Sequence, residues 1–117
     1  MQYILMQYVR EDGWTKLTKA EQEEWLGVVR AYVEALTKAG VLRGMNGLKP
    51  SSAATTVRTT HGKLQVLDGP YADSKEQFAG YYIIDVPDLD AALSWAARSP
   101  TAIHGVVEVR PLWEGPL

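Results

Sequence analysis

The sequence predicts an α+β fold of the ferredoxin-like kind, one βαββαβ unit spanning residues 1–117 with a β-hairpin inserted in its middle. Three observations predict it. Two segments carry helix start and stop signals, and strand-like segments flank them in the order strand, helix, strand, strand, helix, strand. A threonine-rich stretch broken by His61-Gly62 falls between the second and third of those strands and reads as a hairpin. Finally, 117 residues with 46% hydrophobic and 22% charged side chains suit one ordinary globular core and leave no room for a second domain.

Tyr3 to Val9 is an apolar, β-compatible run with aromatic and branched residues on both alternating sets, as in a strand with both faces partly buried. Arg10-Glu11-Asp12-Gly13 breaks it with a charged turn. The first long helix starts at Thr18, which caps, with Glu21 placed to complete a capping box. Trp25, Val28, Val29, Tyr32, Val33 and Leu36 form its apolar stripe. Lys38 suits its C-terminal end, and Gly40 supplies the left-handed residue that stops it.

Val41 to Leu48 reads as a second strand, with Gly44 and Gly47 marking a bulge or an edge. Pro50-Ser51-Ser52 is loop. Thr55–Thr60 and Lys63–Leu67 pair across the His61-Gly62 turn, and Asp68-Gly69-Pro70 forces another turn. Ala79 to Val86 is a strong strand. Asp88 caps a second helix with Leu89, Ala92, Leu93 and Ala96 on one face and Trp95 beside it, and Ser99-Pro100 stops it. Val106 to Arg110 is the last strand, ended by Pro111.

Two helices cover only one face of such a sheet. The two-residue strand period puts Tyr82, Ile84 and Val86 opposite Tyr81, Ile83 and Asp85, and Val107 and Val109 opposite Glu108 and Arg110. With the wholly apolar sets against the helices, the open face carries Tyr81, Ile83, Asp85, Glu108 and Arg110. That mixture is too apolar for a solvated face and too charged for a dry core. A homodimer whose sheets face each other across a polar-lined cavity reconciles the two, and a solvated face with a few aromatics is the alternative.

Charge excludes some function classes. Twelve Lys and Arg against fourteen Asp and Glu give a net charge of -2, which offers no electrostatic case for nucleic acid or an anionic membrane. No cysteine means no disulfide, thiol nucleophile or thiolate metal ligand. The N-terminal residues lack the basic region and long apolar stretch of a signal peptide, and no run reaches the length of a membrane span, so a cytoplasmic location is expected.

One stretch is more specific. Leu67-Asp68-Gly69-Pro70-Tyr71-Ala72-Asp73-Ser74-Lys75-Glu76-Gln77-Phe78-Ala79-Gly80-Tyr81-Tyr82 closely resembles the signature of DGPF-type proteins within the YCII-related family. The likeness continues through Asp88–Ala92, Trp95-Ala96 and Val107–Pro111, in the family's order. The resemblance implies a ferredoxin-like protomer forming a dimeric α+β barrel. It also implies a catalytic histidine near the start of the first helix together with an aspartate, but Thr18–Glu24 contains no histidine. Companionship with alternative sigma-factor systems is a further implication, and with it a regulatory role.

Asp68 reads either as an aspartate bonding the turn backbone or as a carboxylate at a cavity mouth. His104, just before the last strand, is the better general-base candidate of the two histidines, since His61 sits at a hairpin tip. Asp68 and His104 are therefore the catalytic candidates. Arg110 reads as half of an ion pair with Glu108 or as the contact for a small anionic ligand, whose carboxylate its planar fork suits. Tyr8, Tyr81, Lys75 and Glu108 are candidates to line the same volume, and Asp73–Glu76 has the composition of a helical turn. The histidines lack a metal-ligand spacing, so neither metal nor cofactor is expected. Three functions stay open: a small-molecule enzyme working in a dimer cavity, a non-catalytic ligand-binding or regulatory protein, and a structural or interaction module.

Overall fold

The computed structural model describes residues 1–116. Its main sheet contains four antiparallel strands in the order β2-β5-β1-β6, with β1 at Gln2–Val9, β2 at Leu42–Gly47, β5 at Gln77–Asp85 and β6 at Val106–Pro111. The inserted hairpin, β3 (Thr55–Thr60) with β4 (Lys63–Asp68), forms a separate two-stranded sheet. Helices α2 (Lys19–Lys38) and α3 (Leu89–Arg98) span the crossovers, so the strand order is that of a ferredoxin-like unit.

The expected barrel is not there. The four-stranded sheet is open, with β2 and β6 as its two edges, and no described strand joins them. The reason is geometric: a sheet closes only with about five or more strands tilted and staggered around an axis, and the four strands of one protomer fall short.

Local chemistry explains each element. Thr18 Oγ1 accepts from the Glu21 amide at 3.1 Å and the Glu21 carboxylate accepts from the Thr18 amide at 2.9 Å, the reciprocal capping box at the start of α2. That amide bond holds the Glu21 carboxyl below its usual range. Gly40 takes φ +71 to end the helix. Asp88 caps α3 by accepting from the Ala91 amide at 2.9 Å. His61 (φ 52) and Gly62 (φ 77) both occupy the left-handed region, giving the hairpin the turn that matches strand twist.

Several expectations are corrected. The charged turn expected at Arg10–Gly13 runs into a short helix, α1, at Asp12–Lys16. The helix is braced by a Lys16–Asp12 ion pair of 2.9 Å that also lowers the Asp12 carboxyl. Ser51–Ala53 forms a single 3-10 turn, and Thr101–His104 forms a four-residue helix α4 that proline-based punctuation hid. Residues 73–76, expected as a helical turn, are not helical. Val28, assigned to the inward stripe of α2, is 47% exposed, and Leu89 and Leu93 lie on the outer margin of α3 rather than its inner face. The inner face of α3 is Ala92, Ala96 and Trp95 instead.

The core lies between the sheet and the two long helices: Tyr3 and Leu5 from β1, Tyr82, Ile84 and Val86 from β5 and its end, Tyr32 and Leu36 from α2, and Ala92 and Ala96 from α3. Small alanines on α3 leave room for the Tyr32 ring, which meets Tyr82 edge-on at 5.3 Å and donates its hydroxyl to the Trp95 carbonyl at 2.7 Å. Beneath α3, the buried Ser99 hydroxyl donates to the Gln7 side-chain oxygen at 2.8 Å, and the Gln7 amide donates to the Leu5 carbonyl at 3.2 Å. Gly105 makes the closest approach of all, since a Cβ there would stand 2.1 Å from the Tyr8 carbonyl oxygen. One sheet and one helix layer account for the thinness of the molecule, 49 × 46 × 18 Å.

Candidate functional site

The uncovered side of the sheet gathers most of the candidate ligand residues. Antiparallel register sets side chains of paired residues on the same face, which lets the face be read row by row. Ile83, Ile4 and Arg110 form one row, with Gly44 at its far end. Tyr81, Met6 and Glu108 form the next, ending on Asn46. Phe78, Tyr8 and Val106 form the third. Ile4, Met6, Tyr8, Phe78, Tyr81 and Ile83 are each only partly shielded by their own chain. The centre is thus apolar and the β6 side charged.

A shift of register between Gln7 and Tyr8 pairs Tyr8 with Phe78 rather than Ala79 and brings the two rings to 5.6 Å. The Asn46 amide donates to the Tyr81 hydroxyl at 3.1 Å, fixing that ring's tip towards β2. Arg110 and Glu108 sit one strand period apart on the same face and form an ion pair of 2.6 Å, with side chains 68% and 40% exposed. The guanidinium is therefore partnered yet open to solvent on its other sides. At the far corner Asp85 receives the N-terminal ammonium at 3.2 Å and lies 3.8 Å from Arg43.

A second concave region lies at the base of the hairpin. Thr56, Arg58, Leu67, Asp68, Gly69, Pro70 and Tyr71 line a cleft of about 250 Å³. The Arg58 guanidinium rests over the Tyr71 ring at 5.6 Å, and Thr56 Oγ1 donates to the Gly69 carbonyl at 2.7 Å. Gly69 itself takes φ +101, the left-handed conformation that lets the aspartate-glycine-proline turn fold back over the hairpin. A neighbouring apolar cleft of about 370 Å³ runs between Leu48, Pro50, Ala53, Ala54, Pro70 and Phe78, linking this turn to the sheet face. Its loop is tied down by the Glu11 carboxylate, which accepts from both the amide and the hydroxyl of Ser51.

The sequence-derived candidates divide accordingly. Tyr8, Tyr81, Glu108 and Arg110 share the open face. Lys75 is exposed on the loop that precedes β5. Asp68 ends β4 and bounds the hairpin cleft, whereas His104 ends α4 with its ring 5.3 Å from Trp25 of α2, and it lines neither cleft. Asp68 and His104 thus belong to different parts of the protomer. Burial pushes the Tyr32 and Tyr82 phenols up, but both belong to the core. No group of three His, Cys, Asp or Glu capable of holding a metal occurs among the described residues.

Arg58, Phe78 and Asn46 were not singled out by sequence. The alternating apolar content of Tyr3–Val9 does signal Ile4 and Met6, because it shows that both faces of that strand bury something. Arg58 carries no such signal: a lone arginine in a threonine-rich hairpin reads as a solvated side chain.

Comparison with known proteins agrees with this architecture. The chain is 37% identical over 114 residues to the uncharacterized protein R00369 of Rhizobium meliloti (strain 1021), covering 96% of this chain and 92% of that one. Its fold is similar to that of 5-chloro-2-hydroxyhydroquinone dehydrochlorinase (TftG) from Burkholderia phenoliruptrix AC1100, solved in complex with 2,5-dihydroxybenzoquinone. The TM-score is 0.56 at 14% identity, over 98% of this chain and 96% of that chain. Residues 1–115 match the YCII-related domain, nearly the whole length. The chain belongs to the YCII-related family.

Proposed function

We propose that this protein, a DGPF-type member of its family by its Asp68-Gly69-Pro70-Tyr71 turn, acts as a homodimer that binds a small anionic molecule on the open sheet face. The observation that carries the reading is the composition of that face: two central rows of Ile4, Ile83, Met6 and Tyr81, half-shielded in one chain, bordered by Arg110 and Glu108. A second copy laid over the apolar rows removes them from water, and the charged border then lies at the edge of the space between subunits.

Within that space Arg110 is the contact for a carboxylate or similar anion, with Tyr81 and Tyr8 supplying ring area and hydroxyls. Lys75 is the additional cation that a loop beside the face can bring to it. The arrangement favours binding over catalysis, because the acid–base candidates Asp68 and His104 stand on different elements and converge on no common cleft. No helix among the described residues is long and apolar enough to cross a membrane, and the net charge of -2 gives no electrostatic reason to place the partner in nucleic acid.

Sedimentation velocity at micromolar concentration tests the assembly, with a dimer expected. Calorimetric titration of a panel of small carboxylates, against wild type and Arg110→Gln, tests the site. Equal affinity for the same carboxylate in both proteins removes Arg110 from it.

A further inference from the structure

The β3–β4 hairpin stands away from the body as an arm. Its register pairs Val57 with Val66 and Thr59 with Leu64, so Val57, Leu64 and Val66 share one face of the ribbon. Those three side chains are 61%, 67% and 59% exposed. A free two-stranded ribbon is marginally stable in water, and an aliphatic stripe along one invites association.

Dimensions show how far the arm reaches. The nine-residue β5 and the twenty-residue α2 are each about 30 Å long by their rise per residue, whereas the molecule extends 49 × 46 Å in its own plane. The difference is about 20 Å, the length of a six-residue ribbon. The radius of gyration, 16.4 Å, likewise exceeds the roughly 13 Å of a compact chain this size.

The two faces of the arm differ. Opposite the aliphatic stripe, Thr56 pairs with Leu67 and Arg58 with Gln65, and this face carries the cleft roofed by Tyr71. The stripe side is the more aliphatic of the two, with Val57, Leu64 and Val66 against Leu67 on the other.

Resting on the homodimer reading, we infer that the Val57–Leu64–Val66 face of each arm packs on the second copy of the chain, so that two arms clasp the dimer reciprocally. Area selects the occupant. The open sheet face, four strands wide and about three residue pairs deep, offers on the order of 500 Å² a side, short of the ~800 Å² per partner of a stable interface. An arm given and an arm received each add on the order of 200 Å², which brings the interface to that size. A two-fold dimer supplies both contacts from one surface and one arm per chain, as an isologous interface requires. In this arrangement the Arg58 cleft faces solvent beside the clasp and remains open to ligand.

The test uses the purified full-length chain. With no cysteine in the sequence, Leu64→Cys accepts a single benzophenone photoprobe at the arm's stripe. A second protein, Val57→Thr with Val66→Lys, makes the stripe polar without touching the body. Wild type is expected to sediment as a dimer, the polar-stripe protein to show an unchanged far-ultraviolet spectrum with a dimer dissociation constant raised at least about tenfold, and the Leu64 probe to join two chains on illumination. A polar-stripe dimer as tight as wild type, with no chain-to-chain product from the probe, overturns the clasp and leaves the sheet-face dimer standing. A monomeric wild type defeats the homodimer reading itself and the clasp with it.

Discussion

Changing Glu108 is predicted to have the opposite effect on anion binding from changing Arg110, and the ion pair sets the size of each effect. Glu108 and Arg110 meet at 2.6 Å with side chains 40% and 68% exposed. An ion pair that open contributes about 0–1 kcal/mol. A ligand carboxylate that takes the guanidinium gains a charge-assisted contact of about 1.5–3 kcal/mol when it is shielded between subunits. Displacing Glu108 subtracts the smaller quantity from the larger, leaving about 1–2 kcal/mol in favour of the ligand, or roughly five- to thirtyfold in affinity. Arg110→Gln should therefore weaken binding of a small carboxylate such as benzoate by about that factor. Glu108→Gln removes both the competitor and a like charge, and should tighten binding about two- to fivefold. Calorimetry on both variants, each first shown to keep the wild-type sedimentation coefficient, reads the two signs together. Tighter binding in Arg110→Gln would mean that Arg110 does not hold the carboxylate, and weaker binding in Glu108→Gln that Glu108 does not compete for its guanidinium; either result overturns this balance.

The packing predicts three further outcomes. Tyr32→Phe removes the bond to the Trp95 carbonyl near the C-terminal end of α3, where helix carbonyls lack partners, and should cost about 1–2 kcal/mol, a drop of roughly 5 °C or more in Tm by scanning calorimetry. Because burial raises the Tyr32 phenol above its ordinary value of 10.0, the unfolded chain loses that proton first; the stability it provides is complete below about pH 10 and is lost above it, and the Phe variant should show a shallower alkaline decline. Gly105→Ala places a Cβ against the Tyr8 carbonyl, a backbone atom that cannot yield, and should cost at least about 3 kcal/mol in urea unfolding. The Glu21 carboxyl is held below its ordinary value of 4.5, so its contribution is present above that pH and fades as pH falls below it; Glu21→Gln should remove this acid-side dependence of helix content followed by circular dichroism.

The parts of the fold that were legible share a cause: local chemistry determines them. Thr18 with Glu21, Gly40, Asp88 and the His61-Gly62 turn each declare an element boundary through a nearby bond or a required backbone angle. The two-residue period divided β5 and β6 correctly between core and open face. Boundaries set by distant partners were not legible. Leu89 and Leu93 have the helical spacing of a core stripe, yet α3 turns its alanines inward because Tyr32 and Trp95 fill the space between the helices. The short helix ending at His104 was hidden by Ser99-Pro100, which stops α3 without preventing another turn. For the site, alternation placed Tyr81, Glu108 and Arg110 on one face, and the register of β1 adds Tyr8 to it. Nothing along the chain shows that Asp68 ends a projecting arm while His104 packs beside Trp25, since both facts depend on tertiary placement. The barrel rested on family likeness alone, and the open four-stranded sheet does not bear it out.

The most direct test of the central claim is the oligomeric state of Ile83→Arg, measured by sedimentation equilibrium beside wild type and paired with carboxylate titration. Ile83 lies in the apolar row shared with Ile4 and Arg110, on the face turned away from the core, so an arginine there leaves the protomer folded and sets like charges against each other across the proposed interface. Wild type is expected to be dimeric and to bind a small carboxylate, and Ile83→Arg to be folded, monomeric and without that binding. A wild type that is monomeric at micromolar concentration, or an Ile83→Arg protein as dimeric as wild type, would contradict that claim.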